Sequence, residues 1–418
     1  MKILMLGWEF PPHFAGGLGI ACYELTRSLC KNETLDITYV MPYGPAQEET
    51  RFEKLKIQSA HSFGKHVQFS LNFRRVFSTI KAYDTYEKYS ARIRELQKKE
   101  NGNTKKDIGK LYGDNLLEEV YLYAKRVAEI YKDEKFDIIH AHDWTSIPAA
   151  LILKKLTGKP VILHVHITEL DKTGNMGGDD EIFKIEQEGF ANCDILVAVS
   201  NFVKHKLVDC YHVNPDKIRV IHNGGISDLE PELSGKNYGN KNKIVLFAGR
   251  ITTQKGPEFF IRAAKKVLEY EKDTKFIVAG EGDLLPRIKS LCDEYGIKNN
   301  IYLLGRKYSR NEADMFFSLA DIFVMPSVSE PFGIVPLEAV AKGTPTIISK
   351  QSGISEVLTH SFKVDFWDTD EMANQMISLI RYEDLHQHIR ENAHNNFYRF
   401  SWDFPAEKLI KIYKEMIK

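Results

Sequence analysis

Short apolar runs recur along the chain, most closed by glycine, proline or histidine and several followed by residues with helical spacing. Residues 2–6 (KILML), 35–41 (LDITYVM), 136–141 (FDIIHA), 161–165 (VILHV) and 194–199 (DILVAV) form one series. A second follows at 243–248 (KIVLFA), 276–280, 301–305 and 321–325 (DIFVM). Runs of this length, apolar on both faces and rich in β-branched residues, are read as parallel strands covered by helices. Apolar spacing predicts helices over 20–30, 201–211 after the cap Ser200, 258–269 and near 404–417. Between the two series, residues 229–242 are rich in Pro, Gly, Ser, Asn and Lys and poor in apolar groups, as a linker is. The pattern predicts an α/β chain of two domains, 1–228 and 243–399, with a final helix at about 400–418.

At 418 residues the chain is too long for one ordinary core, and 43% hydrophobic with 27% charged residues fits a folded protein. Lys plus Arg and Asp plus Glu are both 57, so no net charge draws the whole molecule to nucleic acid or to an anionic membrane. The five cysteines are scattered with no CxxC pair, which argues for reduced thiols over a disulfide framework or a zinc site. The chain enters its first strand at once and carries no apolar run long enough to span a bilayer, so residence in the cytoplasm is expected. Residues 51–110 differ from the rest: 15 Lys or Arg stand against 6 Asp or Glu, interleaved with Phe69, Phe73, Phe77, Tyr83, Tyr86 and Tyr89. The plain reading is an amphipathic helix lying on the first domain; the sharper one is a patch for an acceptor or for weak contact with a membrane surface.

The chemistry centres on 329–345 (SEPFGIVPLEAVAKGTP), a strand end, a tight loop and a helix start that carry Glu330 and Glu338. The loop through Gly333 and Ile334 offers amides at a helix N-terminus, where an anion such as a diphosphate is favoured. Glu330 sits at the strand's carboxyl end, where open α/β sheets bind ligands. Arg250 and Lys255 also follow a strand and precede a helix, which aims both cations at the same crevice. In the first domain Gly16-Gly17-Leu18-Gly19 makes a glycine loop between strand and helix, and two strands end at His142-Asp143-Trp144 and at His166. Asp368-Thr369-Asp370 is formally DxD, but helical spacing follows it directly and a cap is expected.

The 329–345 stretch resembles the signature of retaining glycosyltransferases with two Rossmann-like domains (GT-B), namely family 4 and the related glycogen and starch synthases. The resemblance implies two domains facing across a cleft, with the C-terminal helix returning to the first. It gives the donor sugar to Glu330 and His166, with Asp143 beside them. Arg250 and Lys255 take the diphosphate together with the amides of Gly17, Gly333 and Ile334. Glu338 takes the ribose, Arg306 the region of the base, and Asn223 a position facing the donor. Glu169, in a segment similar to an acceptor loop, would orient the acceptor hydroxyl. One departure stands out: where ADP-glucose-using bacterial glycogen synthases carry a lysine two residues before the glycine pair, this chain has Phe14. The resemblance implies sugar transfer from an ADP-, UDP- or GDP-sugar to a glycan, with no cofactor and no metal. The alternatives are a transferase for an envelope or lipid-linked glycan, a sugar-nucleotide-binding protein without activity, and, more remotely, an epimerase.

Overall fold

The computed structural model describes residues 1–11, 17–42, 49–51, 55–60, 116–174, 178–225, 242–306 and 308–417. Most of the basic aromatic stretch at 51–110 and nearly all of the linker at 229–242 lie outside the described residues. Two sheets carry the fold. The first has the order β3-β4-β2-β1-β5-β6-β7-β8 and the second β11-β10-β9-β12-β13-β14. In the first, β1 (Lys2–Leu6) pairs with β2 (Asp36–Met41) on one side and β5 (Ile138–His142) on the other. The outer strands on one side are β3 (Glu49–Arg51) and β4 (Leu55–Ser59), and on the other β6 (Val161–Val165), β7 (Ile195–Ala198) and β8 (Ile218–Val220). Every pairing is parallel except β3 with β4.

The second sheet is wholly parallel, with β9 (Ile244–Ala248) between β10 (Lys275–Ala279) and β12 (Ile322–Met325). Its flanks are β11 (Ile301–Leu303), β13 (Thr346–Ser349) and β14 (Phe362–Val364). The strand order reverses between β1 and β5 in one sheet and between β9 and β12 in the other. At such a switch point two neighbouring crossovers leave the sheet on opposite faces, and a crevice opens beyond the carboxyl ends of the strands.

The final helix, Asp403–Met416, completes the first domain from the far end of the chain. Its Leu409, Ile410 and Tyr413, with Trp402, share one apolar cluster with Ile3, Met5, Leu25, Leu29 and Ile37. Asp403 fixes the register, accepting hydrogen bonds from Ser28 Oγ and, at 2.6 Å, from Lys31 Nζ. The first helix runs Gly17–Leu29, three residues earlier than apolar spacing alone places it, so its glycines lie in the opening turn. Asp368 caps the helix Thr369–Arg381 by accepting from the Glu371 amide at 3.0 Å, as the helical spacing after the DxD predicts. Among the described residues no helix is long and apolar enough to cross a membrane.

One polar feature interrupts the first core. His140 and His142 alternate on β5, His164 lies on β6 with His166 just past its end, and the register sets His142 opposite His164. The four buried rings stack, with neighbouring centroids 4.3–5.5 Å apart. Nitrogens of His140, His142 and His164 lie within 4.8 Å of one another. The rings of His140 and His164 are nearly parallel, at 10° to one another. His140 Nδ1 meets the Tyr413 hydroxyl at 2.6 Å, and His142 Nδ1 meets His166 Nε2 at 3.0 Å. Both nitrogens of His164 lack a partner. Burial lowers all four rings, His140 and His166 to about 3.

The unfolded chain therefore binds these protons near pH 6.5 while the native protein does not. Their contribution to stability is complete above about pH 6.5 and is lost as the pH falls toward 3. Burial acts the other way on Asp143 and Glu186, pushed up to about 7 and about 8, so their contribution falls as the pH rises through the carboxylate range toward neutrality. His164→Leu removes one of the opposed protons without leaving a bonded partner behind. Between about pH 4 and 6, the slope of unfolding free energy against pH should drop by about one proton, ~1.4 kcal/mol per pH unit. Urea melts at several pH values read this directly, and a slope equal to that of the wild type would contradict it. Leu409→Ala should cost about 2–5 kcal/mol in the same assay, because a cavity opens where the last helix meets the first sheet.

Candidate active site

The two switch points gather almost every residue singled out from the sequence. In the second domain, β9 runs into a turn whose 3-10 segment Thr253–Lys255 ends at Gly256. At φ 65 a Cβ on Gly256 would lie 2.1 Å from the Pro326 carbonyl oxygen, so only glycine lets this turn close on the end of β12. That closure carries Lys255 to Glu330, and the ammonium and carboxylate form an ion pair, both groups largely buried. Ser327 Oγ donates to the same carboxylate at 3.2 Å. Arg250 reaches the site through Gln254: its Nη2 donates to Gln254 Oε1 at 2.8 Å, and Gln254 Nε2 donates to the Ser329 carbonyl at 3.1 Å.

Beyond Glu330 the chain turns at Gly333, φ 97, where a Cβ would stand 3.1 Å from Glu330 Cγ and 3.2 Å from Met325 Cε. The helix that follows, Val335–Ala341, is only seven residues long, with Pro336 tolerated in its first turn. Glu338 is half-buried in that turn, and its charge adds to the burial that pushes the Tyr308 hydroxyl up to about 12.

In the first domain, β5 ends at His142 and the backbone turns through Asp143 at φ 55, ψ 178, a sparsely populated conformation for a side chain with a Cβ. The strain aims the carboxylate at the end of β6, where Asp143 Oδ1 accepts from the amides of His166 at 2.7 Å and Ile167 at 3.2 Å. Asp143 thus fixes the neighbouring strand end, and its other oxygen is buried without a partner. His166 has Nδ1 unpartnered and Nε2 tied to His142. At Gly17, exposed at the start of the first helix, an added Cβ would meet nothing within 4 Å.

Three other residues singled out from the sequence have surroundings of a different kind. Glu169 is buried, with one oxygen accepting from the Asp179 amide at 3.2 Å and the other paired with Lys172 at 3.0 Å, so its carboxylate is engaged by its own loop. Arg306 is exposed and paired with Glu312. Asn223 is buried at the crossing between domains and, with His222, Asn396, Arg399 and Lys408, lines a cavity of about 250 Å³.

Polar groups that no motif marks join the two halves. Glu356 of the second domain accepts from the amides of Asn201 at 2.9 Å and Phe202 at 2.7 Å, capping a first-domain helix, and meets His222 at 2.7 Å. Burial alone would raise Glu356, but these donors outweigh it and hold it at about 2. Ser200 Oγ donates to the Pro331 carbonyl at 2.6 Å. The ion pair of Lys206 with Asp171 reaches across to Ser329. Lys206 has a readable signal, since it shares the apolar face of its helix with Val203 and Leu207.

Against known proteins, the chain matches the family model for Glycosyltransferase Family 4 over residues 94–225 and that for Glycosyl transferases group 1 over 231–396. An uncharacterized glycosyltransferase of Methanocaldococcus jannaschii is 28% identical, with 99% of this chain and 98% of that protein covered. A D-inositol 3-phosphate glycosyltransferase of Corynebacterium jeikeium is 28% identical over 67% of this chain and 73% of its own length. Among solved structures, sucrose-phosphate synthase from Thermosynechococcus elongatus superposes with a TM-score of 0.75 at 17% identity, covering 99% of this chain and 98% of that one. The chain folds into two doubly wound sheets, and a glycosyltransferase family model matches part of each half, so the chain is a GT-B glycosyltransferase of family 4.

Proposed function

We propose that the enzyme transfers a sugar, glucose in the first instance, from a nucleoside diphosphate to a hydroxyl of a glycan, with retention at the anomeric carbon. The bond from the anomeric carbon to the diphosphate breaks, and a bond to the acceptor oxygen forms on the same face. The acceptor proton passes to the departing phosphate oxygen. Negative charge grows on the diphosphate and positive charge on the sugar ring, so fixed cations and amide dipoles beside the phosphates lower the barrier without a metal or a cofactor.

In this reading Arg250 and Lys255, with the amides of Gly17, Gly333 and Ile334, take the diphosphate. Glu338 holds the ribose, Arg306 lies toward the base and Asn223 faces the donor. Glu330, His166 and Asp143 surround the sugar, and Glu169 orders the acceptor loop. The observation that carries it is the ion pair of Lys255 with Glu330 at the carboxyl end of β12. An arriving diphosphate takes the ammonium from the carboxylate, and Glu330 is released to accept hydrogen bonds from sugar hydroxyls. The neutral ring of His166, well below its ordinary pKa through burial, suits contact with an uncharged sugar.

A second reading concerns the acceptor alone. The corynebacterial relative is named for D-inositol 3-phosphate, which favours a small phosphorylated polyol as the acceptor class.

With ADP-, UDP- and GDP-sugars as donors, Lys255→Ala and Glu330→Ala should each lower turnover by about a hundredfold with a smaller change in KM. Turnover like the wild type in both would overturn the assignment. Malto-oligosaccharides and inositol phosphates compared as acceptors separate the two readings, and NMR of the new linkage reads the anomeric configuration.

A further inference from the structure

We propose that Asp171 and Lys206 of the first domain are positioning residues for Arg250 in the second, acting through Ser329 and Gln254. This rests on the assignment of Arg250 to the donor diphosphate. Asp171 is wholly buried at the end of a short helix, Glu169–Lys172, and its two oxygens have separate duties. Oδ2 closes a capping box, accepting from the Thr168 amide at 2.9 Å and its hydroxyl at 2.8 Å. Oδ1 faces out of the domain, pairs with the Lys206 ammonium and accepts from Ser329 Oγ at 2.6 Å. Lys206 Nζ also contacts Ser329 Oγ, at 2.8 Å, and lies 5.1 Å from the Phe202 ring centroid.

Ser329 is thereby held by two charged groups of the other domain. Its carbonyl receives Gln254 Nε2, and Gln254 Oε1 receives the Arg250 guanidinium. Ser329 also directly precedes Glu330, the partner of Lys255. Every link is a hydrogen bond between buried or half-buried groups, in surroundings where such bonds are strongest and most directional.

A buried ion pair is a poor way to gain stability, because desolvating two charges costs as much as their attraction returns. Here the pair supplies a fixed acceptor and a fixed donor at one point on the domain boundary. A serine hydroxyl with one proton and two lone pairs can satisfy both only in a single arrangement. The cation that meets the diphosphate is thus placed correctly only when the two domains are in register, which ties donor binding to domain closure.

The test uses the full chain and the variants Ser329→Ala, Gln254→Ala and Asp171→Asn, singly and with Gln254→Ala combined with each of the others. Ser329→Ala removes the cross-domain link and leaves Asp171 with Lys206 intact. It should lower kcat/KM for the donor about tenfold, the loss of one hydrogen bond to a charged group, while shifting the melting temperature by less than about 4 °C. Ser329→Ala and Gln254→Ala together should cost no more than either alone, because both cut one chain of bonds. Asp171→Asn, if it folds, should couple to Gln254→Ala in the same way although the two meet only through Ser329. Hydrogen exchange of the 250–256 amides in the ligand-free protein gives a readout independent of substrate, and it should quicken in Ser329→Ala. Wild-type exchange there, or additive losses, would overturn the linkage. Faster exchange in a protein that turns over no sugar nucleotide would leave the linkage standing and remove the proposed reaction.

Discussion

The structure depends on two parallel sheets presenting their carboxyl edges to one another, and the contact that holds the second edge in working order is the ion pair of Lys255 with Glu330. A lysine after β9 and a glutamate after β12 lie 75 residues apart in sequence. They meet because β9 and β12 are neighbours at the point where the strand order reverses, and because Gly256 lets one turn settle against Pro326. The pair keeps a cation and an anion in a water-poor crevice without leaving either unbalanced. Under the proposed function both groups would be exchangeable, an incoming diphosphate and sugar replacing each partner for the other.

The first domain solves a different problem. Its strands end in a stack of four imidazoles that burial keeps neutral, and one bond, between His142 and His166, carries that stack to the candidate sugar site. Asp143 accepts backbone strain in order to hold the end of β6. The last helix closes the core behind them through Tyr413, so the far end of the chain supports the first strand edge. The domains are then tied by bonds that cross between them: Ser200 to Pro331, Glu356 to the helix at Asn201, and Asp171 with Lys206 to Ser329. A seven-residue helix has little dipole to offer, so in the proposed function the charge at the diphosphate would fall mainly to Arg250 and Lys255.

Much of this was legible because it is local. The strands are continuous apolar runs, and the glutamate loop is written in one stretch, as is the lysine turn before Gly256-Pro257. Cross-domain ties are not local: Asp171 and Ser329 are 158 residues apart, and each alone reads as an ordinary polar residue. The histidine array was half legible. Alternate histidines in an otherwise apolar strand mark one face of it, but no sequence rule shows that two such strands lie side by side in register. Glu169 is the reverse case, a carboxylate in a suggestive loop whose oxygens the fold engages locally. Its contacts depend on the turn at Asp179, which the sequence pattern does not specify.

The central claim is that Arg250 and Lys255 meet a diphosphate where Glu330 now stands. Calorimetric titration of ADP, UDP and GDP into the wild-type protein and into Lys255→Met tests it without reference to sugar or acceptor. At least one of the three should bind, with an affinity about tenfold or more lower in the variant, the loss expected for a charge-assisted contact. Equal affinity in the two proteins, or no binding of any diphosphate to the wild type, would contradict it.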